Sequence, residues 1–525
     1  MNFADRITRL PRAHDTADAD EARAAVPDLP AQLSDLLAGA GGCSPFLKSL
    51  IGQEAAWLRD AFDAPEQAFD ALLADLSEVP PDNLAGALRT AKRRAALLIG
   101  LADLAGVWSL EEVTGRLTQF ADTACDLALK AAIGAEIRRG KLPGMGEDDI
   151  ATGAGMVVFA MGKMGAHELN YSSDIDLICL FDETRYARDD FQEARASLVR
   201  ATRKMAAMLN DRTAEGYVFR TDLRLRPDSG VTPVCMAMAA AETYYESLGR
   251  TWERAAWIKA RPCAGDLEAG ARFQATLRPF VWRKHLDFAA IDDAHNMRLA
   301  IRDHKGLGGA LCLDGHDMKL GRGGIREIEF FTQTRQLIAG GRDADLRVRG
   351  TVDGLARLAG KGWVPEDAAD TLTRHYRFHR EVEHRVQMLR DTQTHDLPGN
   401  PTEFARLAAF MGRDTDDLRA DLTARLTEVH ELIEGFFAQD GGDGAGPDTV
   451  PGTLDAEVIA RWPGYPALRS SRAVEIFNRL RPDILNRLAR TAQPDEALLA
   501  FDGFLAGLPA GVQVFSLFEA NPQLI

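Results

Sequence analysis

The first 150 residues carry apolar side chains at the spacing of amphipathic helices. Between positions 84 and 98 the apolar set is Leu84, Leu88, Ala91, Ala95 and Leu98. Because residues three and four apart lie on one face of a helix, this pattern predicts an amino-terminal helical region over residues 1–150. The stretch GKLPGMGEDDIATGAG, at 140–155, is rich in turn-forming residues and indicates where that region ends.

A segment with a different period follows. The runs MVVFAM at 156–161 and IDLICLF at 175–181 have the length and β-branched content of buried strands. YVFRTDLRLR at 217–226 alternates polar and apolar residues, as a half-buried strand does, whereas residues 189–212 return to helical spacing. The order strand, helix, strand, helix, strand predicts a small α/β core over residues 151–237.

Most of the remaining chain is predicted to be helical. Residues 238–440 include a long candidate helix from Ala368 to Arg390. The stretch GGDGAGPDTVPG at 441–452 offers little apolar surface to bury and predicts a flexible linker. Helical spacing resumes over residues 453–525. Because the sequence stops on apolar residues, we expect the native protein to continue.

Composition restricts the class of protein. A chain of 525 residues exceeds one hydrophobic core, and its 46% hydrophobic and 27% charged residues are typical of globular domains. The formal charge of -16 argues against a nucleic-acid partner, because such binding depends on Lys and Arg. The six cysteines stand singly, without disulfide or zinc spacing. Since neither a signal peptide nor an apolar run of about 18 residues is present, we expect a cytoplasmic protein without a membrane partner.

The candidate chemistry begins at the second predicted strand. Asp174 and Asp176 are two positions apart, so both side chains point to one face of a strand. Paired carboxylates are hard oxygen ligands of the kind that Mg²⁺ prefers. The sequence GKMG at 162–165 predicts a tight turn whose backbone N–H groups can approach a phosphate.

The third predicted strand adds one acid and two bases. Asp222, Arg224 and Arg226 alternate with leucines, which predicts that they share one strand face. Burying that face unpaired would be costly, whereas a metal for the aspartate and a phosphate for the arginines would satisfy it. Three aspartates on neighbouring strands suit a two-metal phosphoryl-transfer centre.

Each motif also has a simpler explanation. Asp-x-Asp pairs occur by chance in acidic proteins, and Arg-x-Arg beside an Asp is often a solvated strand edge. The Gly-Lys-x-Gly turn is not a Walker A loop. The functional interpretation depends on the turn, the paired acids and the third acid following one another on three successive predicted strands.

Several longer stretches resemble the glutamine synthetase adenylyltransferase family. The resemblance extends from about residue 100 to the end of the chain. The matching blocks are AMGKMGAHELNYSSDIDLICLFD, FRTDLRLRPDSG, YYESLGRTWERAAWIKARP, KLGRGGIREIEFFTQ and VEHRVQMLRDTQTHDLP. Long motifs of this kind are far more specific than any of the short patterns within them.

The resemblance implies the fold and the activity. The fold would be α+β, a nucleotidyltransferase (polymerase-β-like) mixed sheet flanked by large all-α regions, with residues 238–440 completing the active-site cleft. Family members carry two nucleotidyltransferase units: the amino-terminal unit removes AMP from a glutamine synthetase tyrosine by phosphorolysis, and the carboxy-terminal unit attaches it from ATP. The ELN and SSDID sequences resemble the removing unit, and a second Asp-x-Asp block is missing.

The chain therefore looks like the removing half followed by the start of the connecting region. Its partner would be adenylylated glutamine synthetase, and the PII signalling protein would be a partner of the full-length enzyme. The substrates would be orthophosphate and adenylyl-tyrosine, with ADP as the product, and ATP would be used if the unit ran the opposite way.

The resemblance also implies residue roles. Asp174, Asp176 and Asp222 would be catalytic and would bind two Mg²⁺ ions. Arg224 or Arg226 would position the attacking orthophosphate, and the cluster from Arg322 to Phe330, with Lys319 nearby, would support the nucleotide or the metal site. The predicted nucleotide- or phosphate-binding residues are Gly162, Lys163, Ser172, Ser173, Arg224, Arg226, Arg326 and Glu329.

Two other functions stay open at this point. The same three acids would serve a unit that attaches AMP from ATP, because two-metal chemistry stabilises one transition state in both directions. The chain would alternatively be a regulatory scaffold without catalysis, whose helical flanks bind a signalling protein.

Three local features need a structural answer. Ala166 stands where the family usually has glycine, so the backbone there should not be left-handed. Arg326 and Glu329 lie at i and i+3, which fits a salt bridge at a helix start as well as a role at the site. His375, His379 and Glu383 lie on one helical face, and we favour packing over a metal site for them.

Overall fold

The computed structural model describes residues 2–283, 309, 311–440, 455–489, 494–509 and 511–520, and these are mostly helical. The predicted linker at 441–452 lies outside the described residues. The described part divides into two units, one ending at Glu431 and one beginning at Leu432. None of the described helices is both long and apolar enough to cross a membrane. The domain divisions at residues 150, 237 and 440 stay predictions.

The amino-terminal region is helical, as predicted. All five residues of the predicted apolar face are buried on the helix Leu84–Leu104, namely Leu84, Leu88, Ala91, Ala95 and Leu98. Ser109 begins the next helix with a capping box in which it exchanges hydrogen bonds with Glu112. The helices of this region are Thr16–Ala25, Ala31–Cys43, Pro45–Gln53, Ala55–Ala61, Pro65–Ser77, Leu84–Leu104 and Leu110–Arg138.

A five-stranded mixed sheet follows the short helix Glu147–Gly155. Its strands are β1 (Met156–Ala160), β2 (Asp174–Phe181), β3 (Arg220–Asp222), β4 (Cys235–Ala237) and β5 (Arg261–Gly265). The spatial order is β3-β2-β1-β5, and β4 also pairs with β2. β1 is antiparallel to both β2 and β5, whereas β3 and β4 run parallel to β2.

The two faces of the sheet pack against different cores. Alternate residues of β2, from Ile175 to Phe181, join a core that extends into the amino-terminal helices. Ile178 and Leu180 point the other way, into a second core with Trp257 and Phe273. Both faces of the strand are therefore apolar, except where Asp174 and Asp176 interrupt the second face near its start.

Two strand predictions are corrected by the structure. The third strand spans Arg220–Asp222 instead of 217–226, because the chain turns directly after Asp222. β5 lies within the stretch predicted to be helical; its sequence RPCAG is short and lacks an alternating pattern, but pairing with β1 makes it a strand. The helices around the sheet are Gly162–Gly165, Phe191–Asn210, Met238–Ser247, Thr251–Ile258, Leu267–Thr276 and Arg278–Val281.

The rest of the first unit is helical. The candidate helix at 368–390 is confirmed as Glu366–Met388, and most of its second half is buried. The other helices here are Ile325–Ala339, Thr351–Gly360 and Pro401–Phe410, and the helix Thr415–Asp440 begins in this unit and continues past Glu431 into the second. Short 3₁₀ turns occur at Ala4–Arg6, Glu183–Arg185 and Ala344–Leu346 in the first unit, and at Trp462–Gly464 and Pro466–Leu468 in the second.

The second unit has its own apolar core. Trp462, Phe477 and Phe515 are buried in it. Trp462 also donates its indole N–H to Asp502 at 3.1 Å. Its helices are Ala456–Arg461, Ser471–Ala489, Pro494–Gly507 and Val512–Ala520.

Gly165 allows the turn after β1 to approach β5 closely. A Cβ added at Gly165 would overlap the carbonyl oxygens of Lys259 and Ala160, which are backbone atoms. We expect Gly165→Ala to lower the free energy of unfolding by about 3 kcal/mol, because neither oxygen can move without displacing a strand. Urea denaturation measures the change.

Gly115 provides the matched control. It lies inside the helix Leu110–Arg138, and an added Cβ meets no atom within 4 Å. Gly115→Ala should leave stability unchanged or raise it by up to about 1 kcal/mol, because alanine favours the helix. Equal effects of the two substitutions would contradict the packing explanation.

Candidate active site

Three aspartates meet at one end of the sheet. One carboxylate oxygen from each of Asp174, Asp176 and Asp222 lies within 4.8 Å of the other two. All three residues are half-buried. Within the residues that the structure describes, no other group of three His, Cys, Asp or Glu side chains has this spacing. The three predicted acids are therefore brought together.

Strand pairing explains why the acids meet. β2 and β3 are parallel, with Asp176 opposite Asp222 and Asp174 opposite Arg220. Asp174 and Asp176 share a face because they are two residues apart in one strand. A slip of β3 by one residue would turn Asp222 to the opposite face. The register of a three-residue strand thus determines the third acid.

The acids differ in their electrostatic surroundings. Burial, followed by the charges of Asp174 and Asp222, raises the pKa of Asp176 to about 7. Arg224 has the opposite effect on Asp222: it donates from Nη2 to Oδ2 at 2.6 Å and keeps the pKa of Asp222 below its usual value. A divalent cation between the carboxylates would relieve the repulsion at Asp176, so the donor set fits such an ion.

Gly162 places the turn after β1 against the acids. Its φ is +53°, and an added Cβ would lie 3.4 Å from Oδ2 of Asp176. The Met161 N–H donates to the carbonyl oxygen of Asp176 at 2.9 Å. Ala166 has a φ of −86°, as expected for alanine, and the non-glycine residue of this turn with a left-handed backbone is His167. The turn thus fits alanine at 166.

Lys163 contacts a buried carboxylate. Its Nζ lies 2.9 and 3.0 Å from the two carboxylate oxygens of Glu383, which is fully buried. Arg380 and His395 also contact Glu383, at 3.1 and 2.7 Å. Burial would raise the pKa of Glu383, but Lys163, His395 and Arg380 hold it well below its usual value. Contact between Lys163 and a phosphate stays a prediction.

Lys259 is a second buried cation behind the turn. Its Nζ lies 2.9 Å from Glu168 and 2.9 Å from Glu329. The two lysine networks meet because Arg380 donates to the carbonyl oxygen of Glu168 at 2.6 Å. We refer to the whole set as the buried charge cluster, which comprises Lys163, Glu168, Lys259, Glu329, Arg380 and Glu383. It connects the turn after β1 to the helices Ile325–Ala339 and Glu366–Met388.

Ser172 is enclosed by side chains from distant segments. Its hydroxyl donates to Asp391 at 2.7 Å, and its N–H donates to Gln387 at 3.1 Å. Arg220 donates to the Ser172 hydroxyl at 3.0 Å. Ser173 is half-buried and shows no side-chain hydrogen bond within the described residues. Phosphate contacts of both serines stay predictions, and the Ser173 hydroxyl is the freer of the two.

The two predicted arginines differ in their surroundings. They cannot share a strand face with Asp222, as the sequence predicted, because β3 ends there. Arg224 stays beside Asp222 with 84% of its side chain exposed. Arg226 holds the following turn together, and its acceptors are the carbonyl oxygens of Leu223, Ser229 and Thr232. Arg224 is therefore the better placed of the two to contact a phosphate.

The helix beginning at Ile325 carries the predicted pair Arg326 and Glu329. Nη1 of Arg326 lies 3.6 Å from Glu329, and the arginine is half exposed. Glu329 is buried and belongs to the buried charge cluster. Lys319, which precedes this helix, lies close enough to Asp176 to oppose the rise of its pKa.

The three residues His375, His379 and Glu383 do not converge on a common point. His375 contacts Glu428 at 2.7 Å, whereas Glu383 contacts Lys163. Burial, followed by the neighbouring His375, lowers the pKa of the fully buried His379 to about 3. Hydrogen bonding, favoured from the sequence, describes His375 and Glu383, whereas His379 is packed in the interior.

Sequence inspection missed the partners that support the site. Lys259 and Glu168 are 91 residues apart, and Lys163 and Glu383 are 220 apart, so no local pattern links them. Asp391 was also missed, for the same reason. One local signal exists: Lys259 and Glu329 each interrupt an apolar stretch, WIKA and IEFF, where a charge requires a buried partner.

Binding of a divalent cation should strengthen as the pH rises to about 7. In the metal-free protein Asp176 keeps its proton up to that pH, and the cation must displace it. Release of one proton corresponds to about a tenfold gain in affinity per pH unit below pH 7, and a plateau above it. Isothermal titration calorimetry with Mn²⁺ measures this profile.

The same shift predicts how the metal-free protein responds to pH. Between the ordinary pKa of 3.8 and about 7, the folded state binds this proton more tightly than the unfolded chain, so rising pH destabilises the fold. Asp176→Asn should remove this part of the pH dependence of the melting temperature. The exposed control Asp82→Asn should retain it. Identical profiles for the two variants would contradict the assignment.

Loss of Lys259 should be strongly destabilising. Lys259→Met leaves Glu168 and Glu329 buried without their shared cation, which we expect to cost about 3–5 kcal/mol of unfolding free energy. Lys130, which is 35% exposed and lies 2.6 Å from Asp126, is the control, and Lys130→Met should cost less than about 1 kcal/mol. Equal losses in urea denaturation would contradict a buried role for Lys259.

Two family models match the chain. The model described as Glutamate-ammonia ligase adenylyltransferase matches residues 33–276. The model described as GlnD PII-uridylyltransferase matches residues 295–439. The first match includes the sheet, the turn and all three aspartates, and the second includes the helices that supply Glu329, Arg380 and Glu383.

Curated relatives agree with the first model. A protein of Brucella melitensis is 43% identical over 94% of this chain and 53% of its own length. Proteins of Agrobacterium fabrum and Rhodopseudomonas palustris are 42% and 41% identical, over 97% and 95% of this chain and 55% and 53% of their own lengths. All three are named bifunctional glutamine synthetase adenylyltransferase/adenylyl-removing enzyme.

The chain spans about half the length of these relatives. The resemblance inferred from the motifs is confirmed as homology with these bifunctional enzymes. The chain is a homologue of about half of a protein of the glutamate-ammonia ligase adenylyltransferase family.

Proposed function

We propose that this chain removes AMP from adenylylated glutamine synthetase by phosphorolysis, releasing ADP. The observation that carries the proposal is the convergence of Asp174, Asp176 and Asp222 within 4.8 Å, in a chain homologous to the bifunctional enzymes. The removing direction is supported by the sequence Glu168-Leu169-Asn170 before the paired acids, which resembles the removing unit of the family.

The three aspartates would hold two Mg²⁺ ions. Bound there, the ions would neutralise the charge that develops on the phosphorus oxygens and on the leaving tyrosine oxygen. The role of the chain is to present three carboxylates to one point, because Asp222 is aligned with Asp176 by strand pairing. The raised pKa of Asp176 shows how strongly this position favours added positive charge.

Other residues would bind and orient the substrate. The turn at Gly162–Gly165 carries backbone N–H groups beside Asp176 and suits the AMP phosphate. Arg224 is exposed and lies next to Asp222, so its guanidinium can meet an incoming orthophosphate. Orthophosphate is itself a nucleophile, and the reaction requires no strong general base. Catalysis would rest on positioning and charge neutralisation.

The fixed loop between the turn and β2 supports this positioning role. Asn170 donates its side-chain amide to Gln387 at 2.9 Å, and Gln387 also accepts from the N–H of Ser172 at 3.1 Å. One glutamine of the helix Glu366–Met388 therefore holds two points of the loop that leads into Asp174. A loop tied in this way limits the movement of the first catalytic acid.

The reaction can be tested with adenylylated glutamine synthetase, Mg²⁺ and this chain, with and without orthophosphate. We expect ADP as the product and turnover that depends on phosphate. Asp174→Asn should lower turnover at least about a hundredfold, because one charge of the cation site is lost. The exposed control Asp82→Asn should retain turnover.

The competing functions give different results in this assay. Free AMP released regardless of phosphate, or AMP attached from ATP, would contradict the removing direction. Retention of turnover by a folded Asp174→Asn variant would contradict catalysis at the triad, whereas absence of turnover in the folded unmodified chain would favour the regulatory scaffold. Circular dichroism establishes that the variant is folded. PII is proposed as a partner of the whole enzyme only.

A further inference from the structure

An arginine-lined cavity lies at the β5 edge of the sheet. Its volume is about 430 Å³. The walls come from the helices Thr251–Ile258, Leu267–Thr276 and Arg278–Val281 and from the segment 344–349. The polar lining side chains are those of Arg278, Arg347, Arg349 and Gln274, beside the rings of Trp257 and Trp282. Among the described residues, no carboxylate lines this cavity.

The three arginines lack anionic partners. Neither Arg278, Arg347 nor Arg349 forms an ion pair with any residue in the described ranges. Burial, followed by Arg278, lowers the pKa of Arg347, even though Asp343 opposes the shift. Burial also lowers the pKa of Arg349, with Arg261 adding to the effect. Burial is the main cause of both shifts, and a neighbouring arginine adds to each of them.

Two of the guanidinium groups are held in place by backbone carbonyls. Arg347 donates to Gly340 at 2.6 Å and to Gly341 at 3.3 Å, and it lies 5.8 Å from the ring centroid of Trp282. Arg349 donates from Nε to Ala260 at 2.9 Å, and within the described residues its Nη groups have no acceptor. A guanidinium fixed in advance loses less entropy when it binds an anion.

We propose that this cavity binds a small polyanion carrying phosphate or carboxylate groups. Arginine forks match the oxygens of both groups. The chain has a formal charge of -16, so three cations without ion pairs around one cavity give that cavity a charge opposite in sign to the net charge of the protein. The volume falls within the range of small-molecule sites, roughly 300–1,000 Å³. The site is separate from the aspartates, because Asp222 lies on β3 at the opposite edge of the sheet.

The cavity shares two chain segments with the buried charge cluster. Ala260, whose carbonyl holds Arg349, directly follows Lys259. Thr351, two residues after Arg349, donates its N–H to Glu168 at 2.6 Å and accepts from Lys259 at 3.3 Å. An anion that binds Arg349 and shifts its side chain would therefore also shift the segments that hold the turn after β1. Binding is independent of the proposed function, whereas an effect on turnover rests on it.

Calorimetry of the Asp174→Asn chain without divalent cations tests the proposal, because the triad is then disabled as an anion site. The probes are pyrophosphate, ADP and succinate. We expect saturable binding of pyrophosphate, weakened at least about tenfold in the added double variant Arg278→Gln/Arg349→Gln. The control Arg188→Gln/Arg203→Gln removes the same charge from exposed positions outside the cavity and should leave affinity unchanged.

The outcomes separate the sources of the anion. Binding of pyrophosphate and ADP without succinate would support a phosphate ligand, and binding of succinate would support a dicarboxylate. Arg278→Gln alone removes no hydrogen bond of the described protein and should weaken binding by a smaller factor. This single variant therefore still tests the proposal if the double variant does not fold. Absence of saturable binding, or equal affinity in the cavity and control variants, would overturn the proposal and leave the proposed function untouched.

Discussion

Buried charges need partners, and this requirement organises the structure around the turn after β1. Three cations and three carboxylates of the buried charge cluster lie out of water behind that turn. Each is compensated by a group from a different part of the chain, such as Lys163 by Glu383 and Lys259 by Glu168 and Glu329. Removing Lys259 would leave Glu168 and Glu329 without their shared cation, so the segments that carry these charges are held in one arrangement.

The aspartates on the other side of the turn are, by contrast, largely without charged partners. Within the described residues, Asp174, Asp176 and Asp222 have a single ion pair, from Arg224 to Asp222, so their mutual repulsion is only partly compensated. Gly162 lies between these two regions and approaches Asp176 without a side chain. The buried charge cluster, whose charges are paired, thus supports the turn beside the three aspartates, whose charges are largely unpaired. This is how a rigid framework can maintain a site that favours added cations.

The support comes from outside the sheet. The three acids belong to β2 and β3, but Glu329, Arg380, Glu383 and Gln387 come from helices more than 100 residues further along the chain. The two family models divide the chain in a similar way, one matching residues 33–276 and the other residues 295–439. The proposed active site therefore requires both segments: one supplies the acids, and the other holds the loops that present them.

The sequence by itself determined the local elements and the acids. Apolar spacing predicted the helices Leu84–Leu104 and Glu366–Met388, and the strands β1 and β2, because period and burial are encoded within a few neighbouring residues. The spacing of Asp174 and Asp176 likewise implied a shared face. Only the tertiary structure decided that β3 ends at Asp222, that Arg226 holds a turn, and that RPCAG is a strand. Pairing of Lys163 and Lys259 with distant carboxylates was also decided there, because such contacts depend on which segments meet in space and leave no periodic trace in the chain.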